Sequence, residues 1–108
     1  MNAALIASLR AQCDGPRDGA LLRFSLGSAL LEQDDHIAAA EEFRRAVSFD
    51  PNYSAAWKLL GKACLAAGDT HAAADAWRQG IEVAQKRGDK QAEKEMTVFL
   101  RRAEKEQP

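Results

Sequence analysis

The strongest constraint on the fold of this sequence is an internal repeat with a period of 34 residues. When residues 20–53 are aligned with residues 54–87, nine residues coincide with an identical residue, far more than composition alone would give. Repeats of this length are typical of proteins in which one small unit of secondary structure stacks on the next. We therefore predict two stacked units of like structure. The identical pairs are Leu26 and Leu60, Gly27 and Gly61, Ala29 and Ala63, Leu31 and Leu65, Asp35 and Asp69, Ala38 and Ala72, Ala39 and Ala73, Ala40 and Ala74, and Arg44 and Arg78.

Each unit is predicted to form two helices joined by a tight turn. Alanine accounts for 22 of the 108 residues, whereas valine, isoleucine and threonine together number eight, and this bias favours helices over strands. Apolar residues recur at helical spacing in 20–33 and 54–67, and a second helix follows each of these segments. Asp35 and Asp69 stand where an N-cap of the second helix is needed. Pro51 cannot continue a helix and ends the first unit.

Glycine and aromatic residues at matched positions predict how the two helices of a unit pack. Gly27 and Gly61 carry no side chain, so the second helix of each unit can approach the first closely. Phe43 and Trp77 are then expected to fill the space beside these glycines. The prediction is a small, tightly packed core shared by antiparallel helices.

Leucine, small and aromatic residues mark both units, and a proline closes the first: Leu26, Gly27, Ala39, Phe43, Ala46 and Pro51 in the first, and Trp57, Leu60, Gly61, Ala73 and Trp77 in the second. In this spacing they resemble the tetratricopeptide repeat (TPR) family, and the resemblance covers residues 20–87. Two positions depart from the family pattern, because Arg23 stands where tryptophan is usual and Gln85 replaces the closing proline. The resemblance implies an all-α fold, a right-handed α-solenoid of antiparallel helix pairs with about six helices.

The segments outside the two units are predicted to cap the stack. On the last helix Met96, Phe99, Leu100 and Ala103 form an apolar face, with the spacing of the first helix of the second unit at an offset of 39 rather than 34 residues. This helix is therefore predicted to be a displaced first helix of a third unit. We expect a single domain over residues 1–108, which divides into an N-terminal capping helix and loop (1–19), repeat 1 (20–53), repeat 2 (54–87) and a C-terminal capping helix (88–108).

The family resemblance implies a concave groove, lined by the first helices, that binds peptides. Lys58 and Lys62 lie one helical turn apart, with no carboxylate between positions 54 and 68 to neutralise them. A groove with four cations and a phenylalanine predicts an acidic or carboxylate-bearing peptide as its ligand, and hence a non-enzymatic adaptor. The predicted peptide-binding residues are Phe24, Ser28, Leu31, Lys58, Lys62, Lys94, Thr97 and Arg101.

Other interpretations of these residues stay open. One is that the lysines are solvated side chains on a face that binds nothing. Another is a self-associating structural unit, a homodimer formed through the groove or an end face, because two units with caps make a thin core. The carboxylate clamp of heat-shock chaperone cofactors fits poorly, since it uses asparagines and both Asn2 and Asn52 lie off the groove. We expect a protein or peptide partner and a monomer or weak homodimer.

The sequence disfavours several other classes of function. No nucleophile, acid–base pair or phosphate-binding glycine loop stands out, so neither catalysis nor a cofactor is expected. His36 and His71 lie near aspartates at spacings that fit no metal motif, so no metal is expected. A net charge of −1 does not recruit nucleic acid, and no apolar run is long enough to span a membrane. The apolar start is broken by Arg10 without a basic segment before it, which predicts a cytoplasmic protein with Cys13 and Cys64 as reduced thiols.

Overall fold

The computed structural model describes residues 3–106, which form six α-helices and no β-strand. The prediction of an all-α chain with about six helices is confirmed. Residues 1, 2, 107 and 108, which belong to the two predicted capping segments, lie outside the described residues, and the division into caps and repeats stays a prediction. The helices are α1 (Ala3–Ala11), α2 (Ala20–Glu32), α3 (His36–Phe49), α4 (Ser54–Ala66), α5 (Thr70–Arg87) and α6 (Lys90–Glu106).

Helices that follow one another in sequence lie against one another in space. α2 pairs with α3 and α4 pairs with α5, while the contact between α3 and α4 stacks the two pairs. α1 packs on α2 at one end of the stack, and α6 packs on α5 at the other. α4 also touches both α2 and α6, so these three helices lie side by side. Their shared exposed surface is called the groove face below.

One glycine in each pair allows the close packing that the sequence predicts. A Cβ atom built on Gly27 would lie 2.8 Å from Cε1 of Phe43, and one built on Gly61 would overlap the indole of Trp77. Both aromatic rings are almost fully buried, so neither has room to move aside. The indole Nε1 of Trp77 donates a hydrogen bond to the backbone oxygen of Lys58, at 3.1 Å. The predicted packing of glycine against an aromatic ring is confirmed in both units.

The buried core runs through all the helix pairs and includes one of the two cysteines. Its largest fully buried side chains are Trp77, Phe43, Leu26, Met96 and Cys64. Cys13 and Cys64 are both free thiols in the structure. No helix in residues 3–106 has the length and apolar character that crossing a bilayer requires.

Aspartates begin two of the helices. Asp69 and Asp89 each accept a hydrogen bond from the amide three residues further on, at 3.0 and 3.1 Å, and so cap α5 and α6. Asp35 occupies the N-cap position of α3, as predicted, but its side chain accepts no capping hydrogen bond there. The turn before α3 also differs in its backbone, because Asp34 takes the positive φ of 60° where the next turn has Gly68 at 88°.

The second unit ends later than the first. Without a proline at position 85, α5 continues for 18 residues, whereas α3 has 14. Its C-cap is Gly88, whose φ of 72° is the left-handed conformation common at this position. The prediction of a longer second helix is confirmed.

α6 docks on α5 in the way that its offset of 39 residues predicts. Met96, which corresponds to Trp57 at that offset, is fully buried and packs where Gly80 carries no side chain. Leu100 takes the place that corresponds to Gly61. α6 thus packs like the first helix of a further unit, with a leucine where the earlier units have their glycine.

Candidate functional site

On α2 the predicted groove residues Phe24 and Leu31 form an apolar strip at one end of the groove face, with the polar Ser28 between them in sequence. The ring of Phe24 stacks on Tyr53 at a centroid distance of 4.8 Å and an angle of 25°, and is tilted against Phe43 at 5.8 Å. Phe24, Ser28 and Leu31 are all half-buried. Packing against the core therefore holds Phe24 and Leu31 in place and leaves one side of each exposed.

Lys58 on α4 is paired with a carboxylate that lies on α6. Its Nζ lies 3.3 Å from Oε1 of Glu95 on α6, and both side chains are partly exposed. Because exposed ion pairs are weak, a carboxylate of similar strength can compete for this lysine. The expected absence of a neutralising carboxylate holds within α4 but not across the groove face.

Lys62, one turn further along α4, contacts an aromatic ring instead of a carboxylate. Its Nζ lies 4.9 Å from the centroid of the Phe99 ring, and the residue is exposed. Phe99 is in turn held by Trp77, at a centroid distance of 5.4 Å. A cation over the face of an aromatic ring is positioned without being neutralised. Among the described residues no carboxylate pairs with Lys62, so it can bind one from outside.

The three predicted residues on α6 differ in their availability. The Thr97 hydroxyl donates a hydrogen bond to the backbone oxygen of Glu93 at 2.7 Å, which leaves the hydroxyl less free to contact a ligand. Lys94 and Arg101 are exposed and take part in no ion pair within the described residues. The residues of α6 that contact the lysines of α4 are Glu95 and Phe99, neither of which the sequence analysis selected.

An open cleft of about 260 Å³ lies between the N-terminal ends of α4 and α6. Its lining carries one cation, Lys58, and two carboxylates, Asp89 and Glu95. Asp89 is already occupied as the cap of α6. This end of the groove face is therefore mixed in charge, and the unneutralised positive charge begins at Lys62.

The departure at Arg23 creates an ion cluster that the sequence analysis did not foresee. The Arg23 guanidinium, 5% exposed, donates two hydrogen bonds to Asp18, both 2.8 Å long, and one to Glu42 at 2.9 Å. A longer contact of 3.4 Å reaches Asp14. The hydrogen bonds from Arg23 hold the pKa of the Asp18 carboxyl well below its usual range. The cluster joins the α1–α2 loop to α2 and α3, and the unusual arginine was the only sequence signal for it.

Neither histidine nor cysteine residues form a reactive centre in the part of the chain that the structure describes. No group of three or more His, Cys, Asp or Glu side chains there could hold a metal ion. Burial raises the pKa of both Cys13 and Cys64, which disfavours the nucleophilic thiolate. The chemistry available on this surface is charge pairing and apolar contact.

Comparison with known proteins gives close relatives but no family model that matches. A TPR repeat-containing protein of Pseudomonas aeruginosa is 58% identical over 88 residues, which span 82% of this chain and 84% of the relative. A Bordetella parapertussis protein of known solution structure is 44% identical, with a TM-score of 0.79 over 94% of this chain and 89% of the other. A tetratricopeptide repeat domain protein from Salinibacter ruber is 30% identical, with a TM-score of 0.76 over 87% of this chain and 94% of the other.

Proposed function

This chain belongs to the tetratricopeptide repeat family, and we propose that it is a non-catalytic adaptor that binds a peptide segment of another protein along its groove face. Proteins of this family are generally protein–protein interaction modules. The proposal extends that general role to one surface of this chain and to one class of ligand, an acidic or carboxylate-bearing peptide. The cytoplasmic location and the absence of nucleic-acid and membrane partners stay predictions from the sequence.

The observation that carries the proposal is the state of Lys62. An exposed ammonium group held over an aromatic ring, without a carboxylate partner among residues 3–106, offers a peptide carboxylate a fixed position to bind. Lys58 lies one turn away, and its exposed pair with Glu95 can open to accept the same ligand. Phe24 and Leu31 supply apolar contact further along the groove face.

The same features suggest a modest affinity. Each exposed charge pair contributes roughly 0.2–1 kcal/mol, and the apolar strip on α2 is narrow and already half-buried. Three such pairs and one large apolar side chain, worth about 1.5–3 kcal/mol, supply no more than about 6 kcal/mol, so we expect binding weaker than the micromolar range, which requires about −8 kcal/mol. Salt should weaken the binding, because the charges involved are open to solvent.

Fluorescence anisotropy with a panel of labelled acidic peptides tests the proposal. Lys62→Glu is expected to weaken binding by about tenfold or more, because it replaces attraction by repulsion at the centre of the groove face. The matched control is Lys86→Glu on α5, which makes the same change at an exposed residue away from that face. Equal effects of the two substitutions, or no binding of any acidic peptide, would rule out the groove assignment.

Self-association is the second candidate, and two exposed leucines favour it. Leu5 on α1 and Leu21 on α2 are 49% and 70% exposed on neighbouring helices, where a second copy of the chain would cover them. Sedimentation equilibrium at micromolar concentration, compared between the wild type and Leu21→Ser, separates the two candidates. A dimer that the substitution dissociates supports self-association, whereas a strict monomer removes it.

A further inference from the structure

On α6 most carboxylates face the neighbouring helices, whereas the cations face outward. Three of its four carboxylates turn toward neighbouring helices and are engaged there, at distances of 3.2–3.3 Å. The fourth, Glu106, lies at the end of the helix. The engaged pairs are Glu93 with Gln85, Glu95 with Lys58, and Glu104 with Arg78.

The cations of α6 remain on its outer side. Because Met96 and Ala103 are buried against the rest of the molecule, the opposite side of the helix faces outward. From Lys94 onward, helical spacing places one exposed set of residues on that side, and none of its cations forms an ion pair within the described residues. This set is called the basic stripe, and it consists of Lys94, Val98, Arg101, Arg102 and Lys105.

We propose that the basic stripe binds an acidic α-helix of a partner protein. From Lys94 to Lys105 the stripe is about 16 Å long, which matches about three turns of a helix laid along it. Carboxylates spaced by one turn on that helix would each meet a cation of the stripe. Val98, 45% exposed in the middle of the stripe, supplies the apolar contact at which two helices approach.

The composition of α6 favours a protein helix over a membrane surface. A helix that lies in a lipid interface must turn a broad apolar face toward the lipid. On α6 the apolar side chains Met96, Phe99, Leu100 and Ala103 pack inward, so the stripe offers the bilayer only Val98.

Nucleic acid is also disfavoured. Its binding depends on many contacts between cations and phosphates. Because the net charge of this chain is −1, its carboxylates repel the phosphates and offset the attraction of the stripe. A short acidic helix needs to meet only the stripe itself, so its binding does not depend on the charge of the whole molecule.

The inference rests in part on the proposed function, because Lys94 and Arg101 belong both to the stripe and to the predicted groove. Substitutions at residues that belong to only one of the two surfaces, the basic stripe or the groove face, can test each surface separately. Arg102 and Lys105 belong to the stripe alone, and Lys62 belongs to the groove face alone.

The experiment measures binding of a labelled helical peptide with glutamates along one face and alanines elsewhere, by anisotropy, to the full chain and its variants. Arg102→Glu with Lys105→Glu is expected to weaken binding by about tenfold or more. The matched control is Arg10→Glu with Lys86→Glu, which changes the net charge equally at exposed residues of α1 and α5 and is expected to change binding less than about threefold. Circular dichroism confirms that each variant keeps its helical content.

The outcomes separate this inference from the proposed function. If Arg102→Glu with Lys105→Glu abolishes binding of the helical peptide and Lys62→Glu does not, the result supports binding at the basic stripe. This holds even if no extended acidic peptide binds the groove face. Equal losses in the stripe variant and its control, an unchanged affinity in the stripe variant, or no binding of the helical peptide by the wild type would overturn the inference. Binding of phosphatidylglycerol vesicles or an RNA duplex in place of the peptide would overturn it as well.

Discussion

Replacing Arg23 by methionine tests whether the buried ion cluster stabilises the end of the stack at which α1 packs. Arg23 has two close partners, Asp18 with an exposed side-chain fraction of 9% and Glu42 with 19%. Asp14 is 82% exposed, so its longer contact adds little. The substitution removes the one cation that holds the two close carboxylates together, and methionine keeps much of the length of the arginine side chain.

The expected loss of stability depends on the contacts that Asp18 and residue 23 keep after the substitution. Removal of one partner from a buried ion pair costs about 3–5 kcal/mol. Two features lower that figure here, because the Asp18 carboxylate keeps hydrogen bonds from the amides of Asp14 and Gly19, and methionine restores part of the apolar contact of the arginine stem. We expect the free energy of unfolding to fall by about 2 kcal/mol.

Urea unfolding followed by circular dichroism at pH 7 measures the loss. Arg45→Met is the matched control, since Arg45 is 59% exposed and its nearest carboxylate is 4.0 Å away, and we expect it to change stability by less than about 0.5 kcal/mol. Adding Asp18→Asn and Glu42→Gln to Arg23→Met should recover part of the loss, because no unpaired charge remains. Equal stabilities of Arg23→Met and Arg45→Met would refute the reasoning.

Acid should reveal the same cluster. Since Arg23 holds the pKa of Asp18 below its unfolded value of about 3.9, the stability it gives is present above that pH and is lost as the pH falls further. Arg23→Met returns the pKa of Asp18 toward its ordinary value, so its stability should depend less on pH below about pH 4. A wild type and a variant with parallel acid profiles would contradict this assignment.

Three further predictions concern the core and its thiols. Gly27→Ala should destabilise the fold by about 1–2 kcal/mol in urea unfolding, because overpacking against Phe43 outweighs a gain in helix propensity of about 1 kcal/mol. Adding Phe43→Leu should relieve part of this loss, whereas a Gly27→Ala variant more stable than the wild type would contradict the prediction. In the native protein Cys13 should react with a thiol reagent before Cys64, which is 2% exposed; equal rates would show that the core opens readily. Met96→Ala should cost about 2–4 kcal/mol and raise hydrogen exchange in α6 above that in α4, whereas uniform exchange would contradict the local role.

The repeat itself was predictable because its key residues are demanded by packing at fixed spacing. Gly27 with Phe43, and Gly61 with Trp77, lie 16 residues apart in both units, and helix geometry brings such a pair together wherever it occurs. The offset of the last helix could be found in the same way, because the position of Met96 repeats that of Trp57. Periodicity therefore predicted the helices and most of their contacts.

Charge pairs across helices were not predictable on these grounds. Glu95 follows Lys58 by 37 residues, and Glu42 follows Arg23 by 19 residues, and neither separation is a period of the repeat. Long charged side chains can reach several neighbours, so the choice among them depends on distances that only the packed helices fix. Arg23 indicated the position of an unusual charge, but the sequence did not indicate which carboxylates would pair with it.

Leu100 has a consequence for growth of the stack. Repeat units can in principle add without limit, because each new interface resembles the last, and a head-to-tail contact that does not close leads to fibres. On α2 and α4 a glycine admits the aromatic ring of the next helix, but on α6 the corresponding position carries the branched side chain of Leu100. A further unit added through the interface that α2 and α4 use would place its aromatic ring against the side chain of Leu100 instead of a glycine, which disfavours growth of the stack from that end.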